Sequence, residues 1–432
     1  MKIIRASQPS FAGEIERIMN RGNVLDETVL KSVAEIIENV KKRGDEALIA
    51  YTEKFDGISL EPSALEVDRD EMEKAVNTID SEDLNLLRLS ADRIEKFHKK
   101  QSLRSWSYTD EEGVGLGQEI RPLDRVGIYA PGGRALYPST VLMAALPAKV
   151  AGVGEIILAT PATEGTVHPL ILAAAKLGGV ERIFRIGGAQ AIAALAYGTE
   201  SVPQVDKIVG PGNVYVAAAK RMVFGKVGID MIAGPSEILV ISDGTSRPDI
   251  AAADLLSQAE HDELASAVLV TPSEDFAREV ASEVDLQLKV LERSAIAQKS
   301  VENYGVVIVT ADMDEAIKIA NMIAPEHLEL MVKDPESVLK KIKNAGAVFM
   351  GYYTPEALGD YIAGPNHILP TGGTARFSSP LGVYDFVKRM SVVSFPEQSL
   401  RRYGQKTARF AEMEGLTAHG RSIMVRLEGK KS

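Results

Sequence analysis

Apolar residues recur at helical spacing between Asp26 and Gly57: Val29, Leu30, Val33, Ile36, Ile37 and Val40 fall on one stripe. Asp26 can cap that helix, and Gly44 breaks the chain before a second one in DEALIAYTEKF. Another charged amphipathic helix is predicted over EDLNLLRLSADRIEKFHKK. From Arg125 the pattern changes to short β-rich runs alternating with Ala-rich helices: RVGIYAP, STVLMAALPAKVAG, EIILATP, VHPLILAAAKLGG, RIFRIGG, AQAIAALAYGT, KIVGPGN, VYVAAAKRMVFG. A second series runs from SEILVISDG through SAVLVTP, GVVIVT, HLELMV and AGAVFMG. Such alternation predicts parallel sheets covered on both faces. The expected fold is α/β, with two Rossmann-like parallel-sheet domains plus small helical N-terminal and C-terminal segments. The boundaries read as an N-terminal arm (1–25), an α/β domain of 26–128 with 237–380, a second α/β domain (129–236) and a C-terminal segment (381–432). That last segment reads as two short helices and a tail, too small to bury a core alone, so it should pack on something else, such as another subunit.

A chain of 432 residues suggests two to four domains. Its 49 Lys and Arg against 60 Asp and Glu leave a net charge of −11, which argues against non-specific nucleic-acid or anionic-membrane binding. No apolar run is long enough to cross a bilayer, and MKIIRASQPSF lacks the apolar core of a signal peptide, so a cytoplasmic location is expected. The absence of Cys removes disulfides, thiolate metal sites and thiol nucleophiles together.

The six His frame the candidate chemistry. His98, in EKFHKK, reads as a solvated helix-face residue, and His168 as a structural residue at a helix start. His261, His327, His367 and His419 lie among Gly, Pro or carboxylates. Gln258 and His261 are spaced i, i+3, on one helix face. LGDYIAGPNHILPTGG adds Asp360 and His367, and EGLTAHGRS adds Glu414 and His419. Each is surface decoration or part of an N/O metal site. Glu326 and His327 sit side by side after Pro325, as a capped helix end, two metal ligands, or an acid and a base. Adjacent residues in extended chain point to opposite faces, so both reach one substrate only if the backbone turns there. In HLELMV, Leu328 and Leu330 are expected on one side and Glu329 on the other. Three Gly turns follow strands in YAPGG, RIGGAQA and IVGPGN, where helix amides can meet phosphate or merely close an ordinary turn.

Taken together, RVGIYAPGG, RIGGAQAIAALAYGT, VGPGNVYVAAAKR, IDMIAGPSEILV, DLLSQAEHD, APEHLEL, GAVFMG, GDYIAGPNHILPTGGTARFSSPLGV and EGLTAHGRSI resemble the histidinol dehydrogenase family, in order, from about Arg125 to Ile423. No functional position departs from the family pattern. The resemblance implies oxidation of L-histidinol to L-histidine through L-histidinal, the last step of histidine biosynthesis, with two NAD. It implies one Zn2+ per subunit, held by Gln258, His261, Asp360 and His419. His419 would come from the partner subunit, making a homodimer with exchanged 381–432 segments and shared active sites. NAD contacts carry over to Tyr129, Gln190 and Asn213 in the domain of 129–236. Substrate contacts carry over to Ser236, His327, Glu414 and the zinc ligands, with His367 near the site rather than in it.

Without a Cys thiolate, the aldehyde step cannot pass through a thiohemiacetal, so water must add directly. Glu326, with a pKa raised by an apolar setting, suits activation of that water, and His327 suits the proton shuttle. Zinc would position the substrate. The alternatives are a zinc-dependent hydrolase on an α/β scaffold, with Glu326 as base, and a nucleotide-sensing or scaffolding protein.

Overall fold

The computed structural model describes residues 1–21, 26–132 and 136–428. Gly133 of the YAPGG turn, residues 22–25 of the expected arm and tail residues 429–432 lie outside the described residues. The chain forms two compact units, residues 1–101 with 123–386, and 102–122 with the chain from Val387 onward.

Both expected parallel sheets are present, in the first unit. Six strands lie in the order Lys2–Arg5, Gly305–Val309, Ser266–Thr271, Glu237–Ser242, His327–Met331 and Ala347–Met350, all parallel. Five more lie in the order Arg182–Arg185, Glu155–Thr160, Arg125–Tyr129, Lys207–Val209 and Gly228–Ile229, also parallel. Alternate residues of each strand enter separate cores. Leu239, Ile241, Leu328 and Leu330 face one way, while Ile238, Val240 and Met331 face the other. Burial on both faces explains why these strands read as unbroken apolar runs.

Three expectations change. The N-terminal arm is not wholly helical: Lys2–Arg5 is an edge strand paired with Gly305–Val309 before the helix Phe11–Asn20. Four residues are too few to show a period. Residues 26–128 were grouped with 237–380, but the stripe Val33, Ile36, Ile37 and Val40 packs on the five-stranded sheet, as do Ala91 and Ile94. A helical stripe says that a face is buried, not against which sheet. His98 is fully buried, its Nδ1 2.8 Å from Ile94 O, rather than solvated. His168 does have its structural role: its Nδ1 accepts from Leu170 N at 3.2 Å.

The second unit contains an antiparallel sheet that the pattern did not announce, in the order Val387–Ser394, Gly115–Pro122, Trp106–Thr109. It continues into the two expected helices, Glu397–Met413 and Thr417–Leu427. Gly404 lets them approach, since a Cβ there would meet Leu427 Cδ1 at 2.8 Å. Met390, Val392, Val393, Phe395, Phe410 and Met413 remain exposed.

Topology marks the places where a ligand can bind. In the five-stranded sheet the chain moves outward from Arg125–Tyr129 on one side, then returns to Lys207–Val209 on the other. The crevice at the carboxyl ends of these two strands is a switch point. Gly210 forms its floor with φ +114°, and a Cβ would lie 2.1 Å from Tyr129 O. A buried ion pair holds this turn: Lys220 Nζ donates to Asp230 and to Gly210 O at 2.9 Å, while Asp230 Oδ2 accepts from Gly210 N at 2.8 Å.

Lys220→Met should destabilise the protein by about 3–5 kcal/mol, because it strands the Asp230 carboxylate in a buried site. Chemical denaturation measures this, and an unchanged midpoint would refute it.

Candidate active site

The helix Met313–Ile323 ends at Ala324, whose φ of +53° and ψ of 61° are left-handed. For a non-glycine residue this conformation costs roughly 1–2 kcal/mol. Pro325 prevents the helix from continuing, and the strand begins at His327. The turn sets Glu326 at the amino edge of the six-stranded sheet beside the start of Glu237–Ser242. There two carboxylates exchange backbone donors. Glu326 Oε2 accepts from Glu237 N at 2.9 Å, and Glu237 Oε2 accepts from Glu326 N at 3.2 Å. His327 Nδ1 lies 3.0 Å from Glu237 O and 3.7 Å from Glu326 Oε2. The turn therefore brings the adjacent side chains together.

With Nδ1–H donating to Glu237 O, His327 Nε2 carries a free lone pair. It is buried, has no hydrogen-bond partner among the described residues, and lies 3.9 Å from Asp360 Oδ1. Around it stands a donor cluster. Ligating atoms of His261, Glu356 and Asp360 all lie within 4.8 Å of one another. Buried Gln258 faces the same group. With Nε2 forward, its amide would donate to His327 Nδ1 at 3.0 Å and to the Glu356 oxygens at 3.0 and 3.2 Å. That orientation conflicts with Nδ1–H on His327. With Oε1 forward, the conflict disappears, but Oε1 then faces carboxylate oxygens, which a cation or a proton between them would stabilise. Gln258, His261 and Asp360 thus converge, with Glu356 added. The helix carrying Gln258 ends at Ala259, so His261 sits in the following turn rather than on the helix face.

Ser236 lies immediately before Glu237, at the same edge. Tyr129, Gln190 and Asn213 gather on the turns of the five-stranded sheet. Tyr129 Oη accepts from Gly188 N at 3.1 Å, and Asn213 Oδ1 caps the helix Val214–Val223 through Tyr215 N and Val216 N. Both amide atoms of Gln190 are buried without partners among the described residues. His367 joins the two regions: Nδ1 is 3.1 Å from Asp360 O and Nε2 is 3.2 Å from Thr140 Oγ1. It stands beside the cluster, 3.8 Å from Asp360 Oδ1. Glu414 and His419 belong to the second unit, where they line a groove between its two helices.

Burial sets the electrostatics. It pushes the Glu326 carboxyl well above the usual range, and the Glu237 carboxylate adds to the effect. It lowers His327 to about 4, so the imidazole is neutral near pH 7. Glu356 is raised by burial and then by Asp360, and His367 is lowered by burial.

Sequence reasoning missed Arg21, Asp254, Glu237, Glu329 and Glu356. Glu329 was assigned to a polar side of its strand, yet it is 1% exposed, because a parallel sheet has no solvent face. A lone carboxylate inside an apolar strand, as in SEILVIS or HLELMV, was the available signal. Glu329 Oε1 accepts from Glu356 N at 2.8 Å, while Glu329 Oε2 and Asp254 Oδ2 are buried with no hydrogen-bond partner among the described residues.

The profile of the family described as histidinol dehydrogenase matches residues 19–427. The histidinol dehydrogenase of Syntrophotalea carbinolica is 56% identical over 428 residues, covering 99% of each chain. That of Geobacter metallireducens is 55% identical, covering 100% of this chain and 99% of its own. The crystal structure of histidinol dehydrogenase from Elizabethkingia anophelis superimposes with a TM-score of 0.93 at 38% identity, covering 100% of this chain and 99% of that one. Among the described residues no helix is long and apolar enough to cross a membrane.

Burial raises Asp254 to about 6 and Glu329 well above the usual range. Their folded values exceed the unfolded ones, so the folded state binds more protons. The stability they contribute is fully present below about pH 4 and is lost as pH rises through about 6 and beyond. The melting temperature of chelator-treated protein should therefore fall between about pH 5 and about pH 8. Glu329→Gln should flatten that fall, and an equally steep fall in the variant would count against the assignment.

Proposed function

The chain belongs to the histidinol dehydrogenase family, and from that premise we propose that it converts L-histidinol to L-histidine through L-histidinal with two NAD. The carrying observation is the buried Glu326–His327 pair, with an unpartnered imidazole nitrogen aimed at a cluster of N and O donors. Bound NAD would accept the two hydrides, and bound zinc would supply positive charge for the imidazole and amine nitrogens of the substrate.

The residues fit both groups. Gln258 Oε1 facing carboxylate oxygens is an arrangement suited to a cation. Gln258, His261 and Asp360 would hold zinc with the partner subunit's His419, and Glu356 offers a further carboxylate. The exposed apolar side chains of the second unit support a homodimer. The orphaned amide of Gln190, beside Tyr129 and the Gly188 and Gly210 turns, supports a cofactor site there, with Asn213 at the helix start. Ser236, Glu414 and the zinc-holding residues would contact the substrate.

In the first oxidation His327 Nε2 takes the hydroxyl proton as hydride leaves the carbon. Its neutral form at pH 7 leaves that lone pair available. In the second, water adds to the aldehyde: Glu326 takes the proton of the water and the His327 imidazolium returns its proton to the aldehyde oxygen, giving the gem-diol and a neutral imidazole. A carboxyl with raised proton affinity is a stronger base near neutral pH than an exposed one. His327 Nε2 then takes the remaining proton as the second hydride leaves.

Two NADH should form per histidinol, read by absorbance; no NADH from zinc-loaded protein would sink the proposal. Glu326→Gln should slow oxidation of supplied histidinal by about 10²–10⁴-fold while slowing the alcohol step far less. Equal losses in both steps would remove the division of labour. Metal-free protein should bind histidinol weakly, and unchanged calorimetric affinity would contradict a positioning role for zinc.

A further inference from the structure

Arg21 is a buried guanidinium at the end of the helix Phe11–Asn20, with every donating group engaged. Nε donates to Leu264 O at 3.0 Å and Nη1 to Ile18 O at 2.7 Å. Nη2 reaches Pro235 O, Ser236 O and Glu237 Oε1 at 3.3, 3.2 and 2.9 Å. Glu237 Oε1 also accepts from Gly372 N at 2.8 Å, and Oε2 accepts from Glu326 N at 3.2 Å. One carboxylate thus has a buried counterion and two backbone donors. Among the described residues its neighbour Glu326 has one backbone donor, from Glu237, and no Lys or Arg in contact. Two buried carboxylates side by side, treated so unequally, divide their roles: one is anchored and the other remains free to exchange a proton.

We propose that the Arg21–Glu237 ion pair is a positioning unit for the second oxidation, acting through Glu326. This rests on Glu326 being the base toward water. Arg21 holds Glu237, and Glu237 fixes Glu326 through the reciprocal N–H exchange while placing a negative charge beside it. The charged or titratable groups facing Glu326 are Glu237 from the adjoining strand, Arg21 at the end of the N-terminal helix, His327 from its own strand, Glu356, and Asp360 from the helical turn Gly359–Ala363. Neither Arg21 nor Glu237 touches the proposed reacting atoms, so their influence is read through the pH dependence of the Glu326 step.

The test is the pH profile of histidinal oxidation by zinc-loaded enzyme, with zinc content and melting temperature measured on every variant. Glu237→Gln removes the neighbouring negative charge and leaves Arg21 uncompensated. Its acidic limb should move down by about one pH unit, with a plateau lower by about tenfold. Arg21→Met leaves Glu237 uncompensated, so its limb should move up. Arg21→Lys keeps the charge and should hold the limb at the wild-type position. If Arg21→Met does not fold, the contrast between Glu237→Gln and Arg21→Lys still decides. Limbs that do not move, or that move the same way in Glu237→Gln and Arg21→Met, overturn the proposal. Histidinal oxidation unimpaired in Glu326→Gln would instead overturn the role of Glu326, and this inference with it.

Discussion

Two parallel strands that begin side by side leave amide groups at their starts without ladder partners. At the amino edge of the six-stranded sheet, Glu237 and Glu326 resolve this need for each other, each carboxylate accepting the other's backbone N–H. Much of the site depends on that exchange. It aligns the strand starts so that His327 pairs with Ile238 in register and Glu237 O meets His327 Nδ1. That contact sets the tautomer, which leaves Nε2 free on the side of Asp360. One pair of side chains therefore closes the sheet edge, holds a strained turn at Ala324 and orients the imidazole.

The arrangement has an electrostatic cost. Asp254, Glu326, Glu329 and Glu356 are buried, and burial raises each of them. Removing unpaired carboxylates from water is unfavourable by several kcal/mol apiece, roughly, unless they are protonated or matched by positive charge. Near Glu237 the match is Arg21; at Asp254 and Glu329 the raised pKa values favour the protonated forms. Near Glu356 and Asp360 no Lys or Arg side chain pairs among the described residues, and either a proton or a cation would balance that end of the site. The extensive apolar cores on both faces of both sheets make this concentration of acid tolerable.

The period of apolar residues made both parallel sheets legible, because strands buried on two faces leave long unbroken runs. It could not reveal the strand Lys2–Arg5, too short to have a period, or the antiparallel sheet, whose strand Val387–Ser394 is largely exposed and lacks an apolar stripe. The site was legible where local context was unusual: Glu326 and His327 after Pro325, and Gln258, His261 and Asp360 among Gly and carboxylates. Arg21 and Glu356 were not, since each is an ordinary charge at the edge of an element, and the lone Glu237 in SEILVIS signals burial without naming its partners. Their importance comes from partners 216, 89 and 27 residues away, in Arg21 to Glu237, Glu237 to Glu326 and Glu329 to Glu356. No local window contains such pairs. Glu329 was misread for a related reason: alternation implies a polar face only when the sheet has one.

The two sheets of the first unit contribute opposite edges. The five-stranded sheet offers its carboxyl edge, where glycine turns bring backbone amides to a crevice. The six-stranded sheet offers its amino edge, where the carboxylates stand. His367 spans them, with one ring nitrogen near Thr140 in the first turn of the helix Pro138–Ala151 and the other near Asp360. Two successive oxidations at one carbon need a hydride acceptor on one side and proton acceptors on the other. Under the proposed function neither may shift while the aldehyde waits, because the chain has no Cys with which to hold that aldehyde covalently. Rigid strand edges suit such retention better than a mobile loop. An imidazole hydrogen-bonded to both sides is a direct means of keeping their separation constant.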